Sequence, residues 1–446
     1  MRPGAWLLLA LLPALWSEGG SGNVEPSWRL GRPPRAYALD NGLSVVLQRD
    51  ESAAITVVQL RIGSGDRDDP PGMPGLAYLA ARLGLEVTDP VQLRRLMEFG
   101  SSFSLSVGGD QTLITLRSLS RHLDPSLPVL TAMLGDPLFS DLRVKGVKEL
   151  MGRLQRLENE DPVDCMRRTV AAAFYGIPAY GAARFGDEAS LDRIGRRDIQ
   201  SFYRSHFVAG NMVAVVISDL EEVRIMPLLA RCLGVFPAGK KPPARPVPLS
   251  SPPHAAQAIE RQAEQALISR SVLLPSLSGD SFALAFLLEN WLGKGVGSRL
   301  WRLRSREGLA YGLHAGLQPN REAMVLNVYL QTDRSRSGEA QAELEQLLRS
   351  VHDDGIGSGE LTAAKAHALA DFWRDIETRE HRAAILALLE GGGLSHRFAG
   401  DFAARLDAIT LEEFNAFLRD WLAPGRWFSL RIGPLEGNGT IVTSDK

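Results

Sequence analysis

The stretch Ser102-Phe103-Ser104-Leu105-Ser106-Val107 alternates polar and apolar residues with a period of two. Thr112–Leu119 repeats that alternation, and Gly108-Gly109-Asp110 stands between the two stretches. Alternation of this kind predicts two strands, and the glycine-rich spacer predicts the turn of a hairpin. Helical patterns follow at Leu142–Leu157 and Val163–Phe174. The first half of the chain is therefore expected to fold as a sheet with helices on one face.

The second half of the chain repeats this order of elements. Alternating stretches at Ala310–Leu317 and Ala323–Thr332 flank a turn at Pro319-Asn320-Arg321. Helical patterns follow at Gly338–Asp353 and Gly359–Ile376. The predicted fold class is α+β, with two tandem homologous α/β-sandwich domains whose sheets are rich in antiparallel pairs and covered by helices.

Direct similarity between the halves supports a duplication. Leu191-Asp192-Arg193-Ile194 matches Leu406-Asp407-Ala408-Ile409 at an offset of 215 positions, and Phe202 matches Phe417 at the same offset. Both stretches have the pattern of a helix that leads into a short terminal strand. Repetition at a fixed offset is the expected trace of a repeated unit, and chance similarity of two amphipathic helices is the alternative.

A proline-rich stretch near the middle of the chain separates the two halves. Proline continues neither a helix nor a central strand, so residues 237–255 are expected to form an extended linker. The N-terminal domain then covers 35–236 and the C-terminal domain 256–436. Residues 1–22 are assigned to a signal peptide and 437–446 to a tail.

The composition bears on the class of protein, and the first residues bear on its location in the cell. The 446 residues are 45% apolar and carry a net charge of −2, which argues against a nucleic-acid-binding protein. Arg2 precedes the apolar run Trp6–Trp16, and small residues follow, as in a secretory signal peptide. The mature protein is expected to be secreted or periplasmic. An uncleaved N-terminal anchor is the alternative.

Two cysteines, Cys165 and Cys232, occur in the whole chain. A secreted protein could pair them, but sequence spacing does not show whether their backbones come close enough for a disulfide. Both lie in or beside helical patterns, so two buried thiols are the expected state.

The region around Gly75-Leu76-Ala77-Tyr78-Leu79-Ala80-Ala81-Arg82 resembles the zinc-binding helix of the pitrilysin, or M16, family of metallopeptidases. The shared frame includes Leu39-Asp40-Asn41-Gly42-Leu43, the strand Ile55–Ile62 and Gly63-Ser64-Gly65, and the resemblance covers nearly the whole chain after residue 35. Active members carry His-x-x-Glu-His on this helix, with two zinc-binding histidines and a general-base glutamate.

The replacements at the motif positions cannot bind zinc in the family's way. Tyr78 is a poor zinc ligand, Ala81 has no ligand atom, and Arg82 is a permanent cation without an acceptor. We therefore expect a degenerate site without metal. An ordinary amphipathic helix that never held metal predicts the same absence.

The family's third protein ligand is a glutamate on a later helix, and alignment of the resemblance puts Arg153 at that position. A shift of one helical turn would put Glu149 or Glu158 there instead, so both stay as candidates. An ion pair of Arg82 with either glutamate could fill the space of the metal.

A second segment keeps a family feature. The run Gly295–Leu300 leads into Trp301-Arg302-Leu303-Arg304 and then Gly308-Leu309-Ala310-Tyr311. In the resembled family, an arginine and a tyrosine of this segment bind the substrate backbone and stabilise the developing oxyanion. The matching residues are Arg304 and Tyr311. Without the resemblance, spacing alone favours a solvated helix-end cation and a tyrosine in the core of a strand.

These observations lead to one functional hypothesis and one rival. The chain is predicted to be a non-catalytic subunit, or pseudopeptidase, of a heteromeric M16-type zinc metallopeptidase. Its partner would be an M16 subunit that carries an intact His-x-x-Glu-His motif and binds Zn²⁺, and the substrate would be a peptide or an unfolded polypeptide. The rival is a structural or peptide-holding protein with no role in proteolysis.

Overall fold

Two β-sheets, one from each half of the chain, organise the protein. The computed structural model describes residues 30–86, 90–177, 179–181, 183–243, 245–250, 256–305 and 308–434. The predicted signal peptide and tail lie outside these described residues. Within them, no helix is long and apolar enough to cross a membrane.

The first sheet has six described strands in the order β1-β2-β6-β3-β5-β4. The β2–β6 pair is parallel and the other pairs are antiparallel. In this order β4 lies at one edge of the sheet. The strands are β1 (Arg35–Ala38), β2 (Ser44–Arg49), β3 (Ile55–Ile62), β4 (Ser102–Val107), β5 (Thr112–Leu119) and β6 (Met212–Ser218).

The second sheet repeats this topology with five described strands in the order β7-β11-β8-β10-β9. Its single parallel pair, β7–β11, corresponds to β2–β6, and β9 lies at the edge that corresponds to β4. The strands are β7 (Gln257–Glu260), β8 (Gln265–Leu274), β9 (Gly312–Gln318), β10 (Met324–Asp333) and β11 (Phe428–Gly433).

Helices connect and cover the strands. Those of the first half are α1 (Leu76–Gly84), α2 (Pro90–Glu98), α3 (Leu123–Gly135), α4 (Asp141–Glu160), α5 (Pro162–Tyr175), α6 (Glu188–Arg193), α7 (Arg196–His206) and α8 (Glu222–Leu233). Those of the second half are α9 (Gly279–Gly293), α10 (Trp301–Ser305), α11 (Ser337–Asp353), α12 (Ser358–Asp375), α13 (Arg379–Gly392), α14 (Phe398–Ala408) and α15 (Leu411–Trp421). The bounds of α15 are those of α7 displaced by 215 positions, which agrees with the duplication.

Each sheet is covered on its second face by a helix from the other half of the chain. Helix α13 packs against β3 and β6 of the first sheet, and α5 packs against β8 and β11 of the second. This exchange explains why nearly every residue of β3 is buried, on both faces of the strand. Helices on one face only, as the sequence predicted, would have left the opposite face of each sheet in water.

Both cysteines are free and buried, as expected. Cys165 lies in α5, where it packs with the core that covers the second sheet. Cys232 lies inside α8, which continues to Leu233. The proline-rich stretch contains no helix or strand in its described residues, 237–243 and 245–250.

Candidate functional site

Helix α1 begins at a tightly packed glycine. Gly75 has a φ of +93°, and a Cβ there would lie 2.8 Å from the backbone nitrogen of Gly186. The Asp69 carboxylate accepts hydrogen bonds from Gly75 N and Ala77 N, both at 2.7 Å. These donors belong to the free amino end of the helix, so Asp69 fixes where α1 starts and how it is aimed.

The three motif positions on α1 have different surroundings. Tyr78 is half-buried and its ring meets that of Phe185 edge to face, with 4.9 Å between centroids. Ala81 is fully buried in the core of the first half. Arg82 forms an ion pair of 3.0 Å with Glu86 one turn further along. The suggested pairing of Arg82 with Glu149 or Glu158 is therefore not the ion pair that the structure contains.

Helix α4 packs against α1 through one regular face. Val144, Val147 and Met151 are buried on it, and the Met151 methyl carbon lies 3.1 Å from the Cβ position of Gly75. Arg153 lies off this face; it is exposed and lines a surface groove together with Glu149 and residues of α6. Glu158 continues the inward face by two further turns and is partly buried. The ligand-position assignment of Arg153 stays a prediction, while the geometry brings Glu158 toward the inner side.

The guanidinium of Arg184, a residue that the sequence pattern did not indicate, lies beside these residues. Burial raises the pKa of Tyr78 and of Glu158, and the charge of Arg184 opposes that rise in both. Burial also raises the pKa of Asp66 to about 7, again opposed by Arg184. Arg184 thus acts as the common cation for three groups from different elements. In the sequence, the three aspartates Asp66, Asp68 and Asp69 before α1 were the available sign that a cation would lie near this helix.

The predicted substrate-binding residues Arg304 and Tyr311 lie on the surface of the second half of the chain. Tyr311 comes directly before the edge strand β9, its N–H donates to Gln331 O at 3.0 Å, and 63% of it is exposed. Arg304 is exposed on α10, with its Cζ 5.1 Å from the centre of the Trp301 ring. The described residues show no contact between Arg304 and Tyr311. Tyr311 is thus a surface residue, not the strand-core residue of the alternative interpretation.

Comparison with known proteins decides the family. A family model described as Insulinase (Peptidase family M16) matches residues 44–188, and one described as Peptidase M16 inactive domain matches residues 193–367. The chain belongs to the M16 peptidase family. The predicted family and fold class are confirmed.

Individual M16 relatives match almost end to end. The chain is 23% identical over 415 residues to an uncharacterized zinc protease of Mycobacterium bovis, covering 90% of this chain and 93% of the relative. It is also 23% identical over 384 residues to a Helicobacter pylori protein named a non-peptidase homolog, covering 84% and 88%. The crystal structure of a peptidase M16 inactive domain from Pseudomonas fluorescens shares the fold, with a TM-score of 0.82, 20% identity and coverage of 92% and 99%.

Zinc is the metal that M16 membership implies, and the residues at α1 do not fit it. Zinc sites in proteins are built from histidine, cysteine and carboxylate ligands. Here the positions hold a phenol, a methyl group and a guanidinium, with a second guanidinium, Arg184, close by. Within the described ranges, no group of three or more His, Cys, Asp or Glu residues could hold a metal ion. This M16 chain is therefore a metallopeptidase homologue with an inactive metal position.

Proposed function

We propose that this chain is the non-catalytic subunit of a heteromeric M16 metallopeptidase. The partner would be an M16 subunit with an intact His-x-x-Glu-His motif, which binds zinc and supplies the general base. This chain would contribute Arg304 and Tyr311 and one half of a closed chamber for peptides or unfolded segments.

The observation that carries this proposal is the exposure of Tyr311 beside a motif that is otherwise kept. Tyrosine is a large amphipathic residue, and a tyrosine at the edge of a sheet gains little for folding when 63% of it faces water. Arg304 is likewise exposed, on the helix that precedes this tyrosine. The family's arginine and tyrosine thus stay available to an external substrate, although α1 has lost its ligands.

The chemistry of the two side chains suits a split active site. An arginine always carries its charge and its N–H donors, and a tyrosine adds an O–H donor. Donors aimed at a carbonyl oxygen that gains negative charge lower the barrier to amide hydrolysis. They need an activated water opposite the carbonyl, so this chain would act only in a complex whose partner provides that water.

The edges of the two sheets offer a way to hold a peptide. Strand β4 is one of the two outer strands of the first sheet, and β9 is one of the two outer strands of the second. An outer strand has backbone N–H and C=O groups that point away from its sheet, and an extended peptide can pair with them. Sequence-independent backbone pairing of this kind fits the proposed class of unfolded substrates.

Secretion to the periplasm or the exterior is part of the same proposal. It is supported by the signal-peptide pattern of residues 1–22, which lie outside the described residues. Cell fractionation with an antibody against the mature chain tests it. Recovery of full-length chain from the cytoplasm would contradict it.

The decisive experiment co-purifies the tagged mature chain with an M16 partner and measures chelator-sensitive cleavage of an unstructured peptide. Combining Arg304→Ala with Tyr311→Phe is expected to reduce kcat by roughly 100-fold, as expected for lost oxyanion donors. Arg302→Ala, an exposed cation on the same helix, is the matched control and should leave kcat unchanged. Equal activity of the double variant and the wild type would instead favour the structural or peptide-holding role.

A further inference from the structure

A cavity of about 200 Å³ lies between the two halves of the chain, away from the α1 motif positions. The first half contributes β3, the turn between β4 and β5, and the start of the proline-rich stretch. The second half contributes the turn between β9 and β10 and the carboxyl end of α13. The cavity therefore exists only because the two halves pack against each other.

Three of the cations that line this cavity form no ion pair among the described residues. Arg61 is only 6% exposed, and its Nε donates to Gln111 Oε1 at 2.8 Å. Its Nη atoms have no hydrogen-bond partner in the described part of the chain. The side chains of Lys241 and Arg321 also lack an ion-pair or hydrogen-bond partner there. A buried guanidinium that forms no ion pair is costly, which distinguishes Arg61 from an ordinary solvated cation.

The nearest acidic residues are already engaged by a fourth cation. Arg67 forms ion pairs with Asp110 and with Glu322, each at 2.7 Å, and these two acids come from different halves. The second oxygen of Asp110 accepts a hydrogen bond from the backbone N–H of Arg321 at 2.8 Å. The charge of Asp110 also acts on Arg61 and Lys241, but neither of these cations forms an ion pair with it.

Asp68 is the remaining acid in the cavity wall, and it does not balance the charge. Its Oδ2 accepts a hydrogen bond from Gly65 N at 3.0 Å, and burial raises its pKa, which favours the neutral acid. His206 beside it has a pKa lowered by burial, so it adds little charge at neutral pH. The carboxyl end of α13 supplies only the partial negative charge of a helix terminus.

Repulsion between these cations contributes to the pKa values of Arg61 and Lys241. Burial lowers the pKa of Arg61 to about 10; the charge of Asp110 opposes this shift, and the charge of Arg321 adds to it. Burial also lowers the pKa of Lys241, with Arg321 and Arg61 as the next causes. Like charges held this close are stabilised when an anion enters between them.

We infer that this interdomain cavity binds an oxyanion, with Arg61 at its base and Lys241 and Arg321 at its mouth. A guanidinium offers paired N–H donors that match the oxygens of a phosphate or a carboxylate. The guanidinium of Arg61 packs on the end of α13, where a Cβ on Gly391 would lie 2.0 Å from Arg61 Cζ. The oxyanion could be free phosphate or the terminal carboxylate of a peptide, because both present the same oxygens. This inference does not depend on the proposed subunit role.

Calorimetric titration of the mature chain at constant ionic strength tests the inference with two probes. One probe is inorganic phosphate, and the other is a short peptide with a free terminal carboxylate, compared with the same peptide as its amide. Arg61 is buried, so the test relies on the exposed pair, Lys241→Gln with Arg321→Gln. The control combines Lys240→Gln with Arg334→Gln, two exposed cations outside the cavity wall.

Saturable binding of either probe by the wild type is expected, weakened about tenfold or more in the Lys241/Arg321 variant and unchanged in the control. Binding of phosphate identifies a free anion as the ligand, and binding of the carboxylate peptide but not its amide identifies a peptide terminus. The inference is overturned if neither probe binds, or if the Lys241/Arg321 variant binds as tightly as the wild type.

Discussion

Arg382 of α13 donates a hydrogen bond to Asp50 at the end of β2 and thereby joins the two halves of the chain inside the protein. Both side chains are almost completely buried, with exposures of 1% and 7%. Arg379, one turn earlier on α13, lies 3.2 Å from the other carboxylate oxygen of Asp50. One carboxylate from the first half thus balances two guanidinium groups from the second.

Replacing this carboxylate should destabilise the whole protein. Asp50→Asn would leave Arg382 and Arg379 buried without a counter-charge, and such a loss costs about 3–5 kcal/mol. We expect the free energy of unfolding, measured by urea denaturation at pH 7, to fall by that amount. The matched control is Asp124→Asn, which removes an exposed ion pair with Arg231 and should cost less than about 1 kcal/mol. Similar losses in the two variants would show that Asp50 does not hold the halves together.

The free energy of unfolding should vary with pH because of a different acid, Asp66. Burial raises its pKa to about 7, whereas an aspartate in an unfolded chain titrates near pH 4. The folded state then holds its proton more tightly than the unfolded state, so this group's contribution to stability falls as the pH rises from about 4 to about 7. Asp66→Asn removes that titration. Relative to the wild type, the variant should gain on the order of 2 kcal/mol of stability between pH 5 and pH 8.

Urea denaturation of both proteins at pH 5 and pH 8 checks this expectation, and Asp124→Asn again provides an exposed control. A difference between Asp66→Asn and the wild type that is the same at both pH values would contradict it, because a non-titrating packing change produces a constant offset.

Much of the fold could be predicted from local sequence pattern. The hairpin strands Ser102–Val107 and Thr112–Leu119 have the predicted bounds, because alternation and a glycine turn specify such a pair locally. The helices α4 and α5 differ from prediction by a few residues at their ends. The four-residue strands β1 and β7 were not predicted, since so short a segment carries almost no periodic signal.

Contacts between distant segments could not be predicted in this way. Periodicity shows that a face is buried but not which segment covers it, so the exchange of α5 and α13 between the halves was missed. The same limit applies to the candidate site. The sequence located Tyr78, Ala81 and Arg82 on one helix. Arg184, however, comes close to Tyr78 from a segment about one hundred residues later in the chain, and local pattern does not show that approach.

The two predicted substrate-binding residues should be dispensable for folding. Tyr311 and Arg304 are exposed, so Tyr311→Phe and Arg304→Ala should change the free energy of unfolding by less than about 0.5 kcal/mol. Tyr175 is the matched contrast, because it is buried and its hydroxyl donates to Ala323 O at 2.7 Å. Tyr175→Phe should cost about 1 kcal/mol or more. A large loss of stability in Tyr311→Phe would identify a structural role and weaken the proposed function.

Restoring ligands on α1 would show which residue of α4 lies opposite them. The variant Tyr78→His with Arg82→His places two histidines one turn apart on α1, the spacing of a helical zinc site, and Arg184→Gln in the same variant removes the guanidinium that would repel the ion. We expect it to bind a stoichiometric amount of zinc, measured by elemental analysis after dialysis, because Glu158 lies on the inward face of α4 and shares the cation Arg184 with Tyr78. Adding Glu158→Gln should remove the zinc, and adding Arg153→Gln should leave it, since Arg153 is exposed on another face. Loss of zinc with Arg153→Gln, or no zinc in any variant, would contradict this geometry.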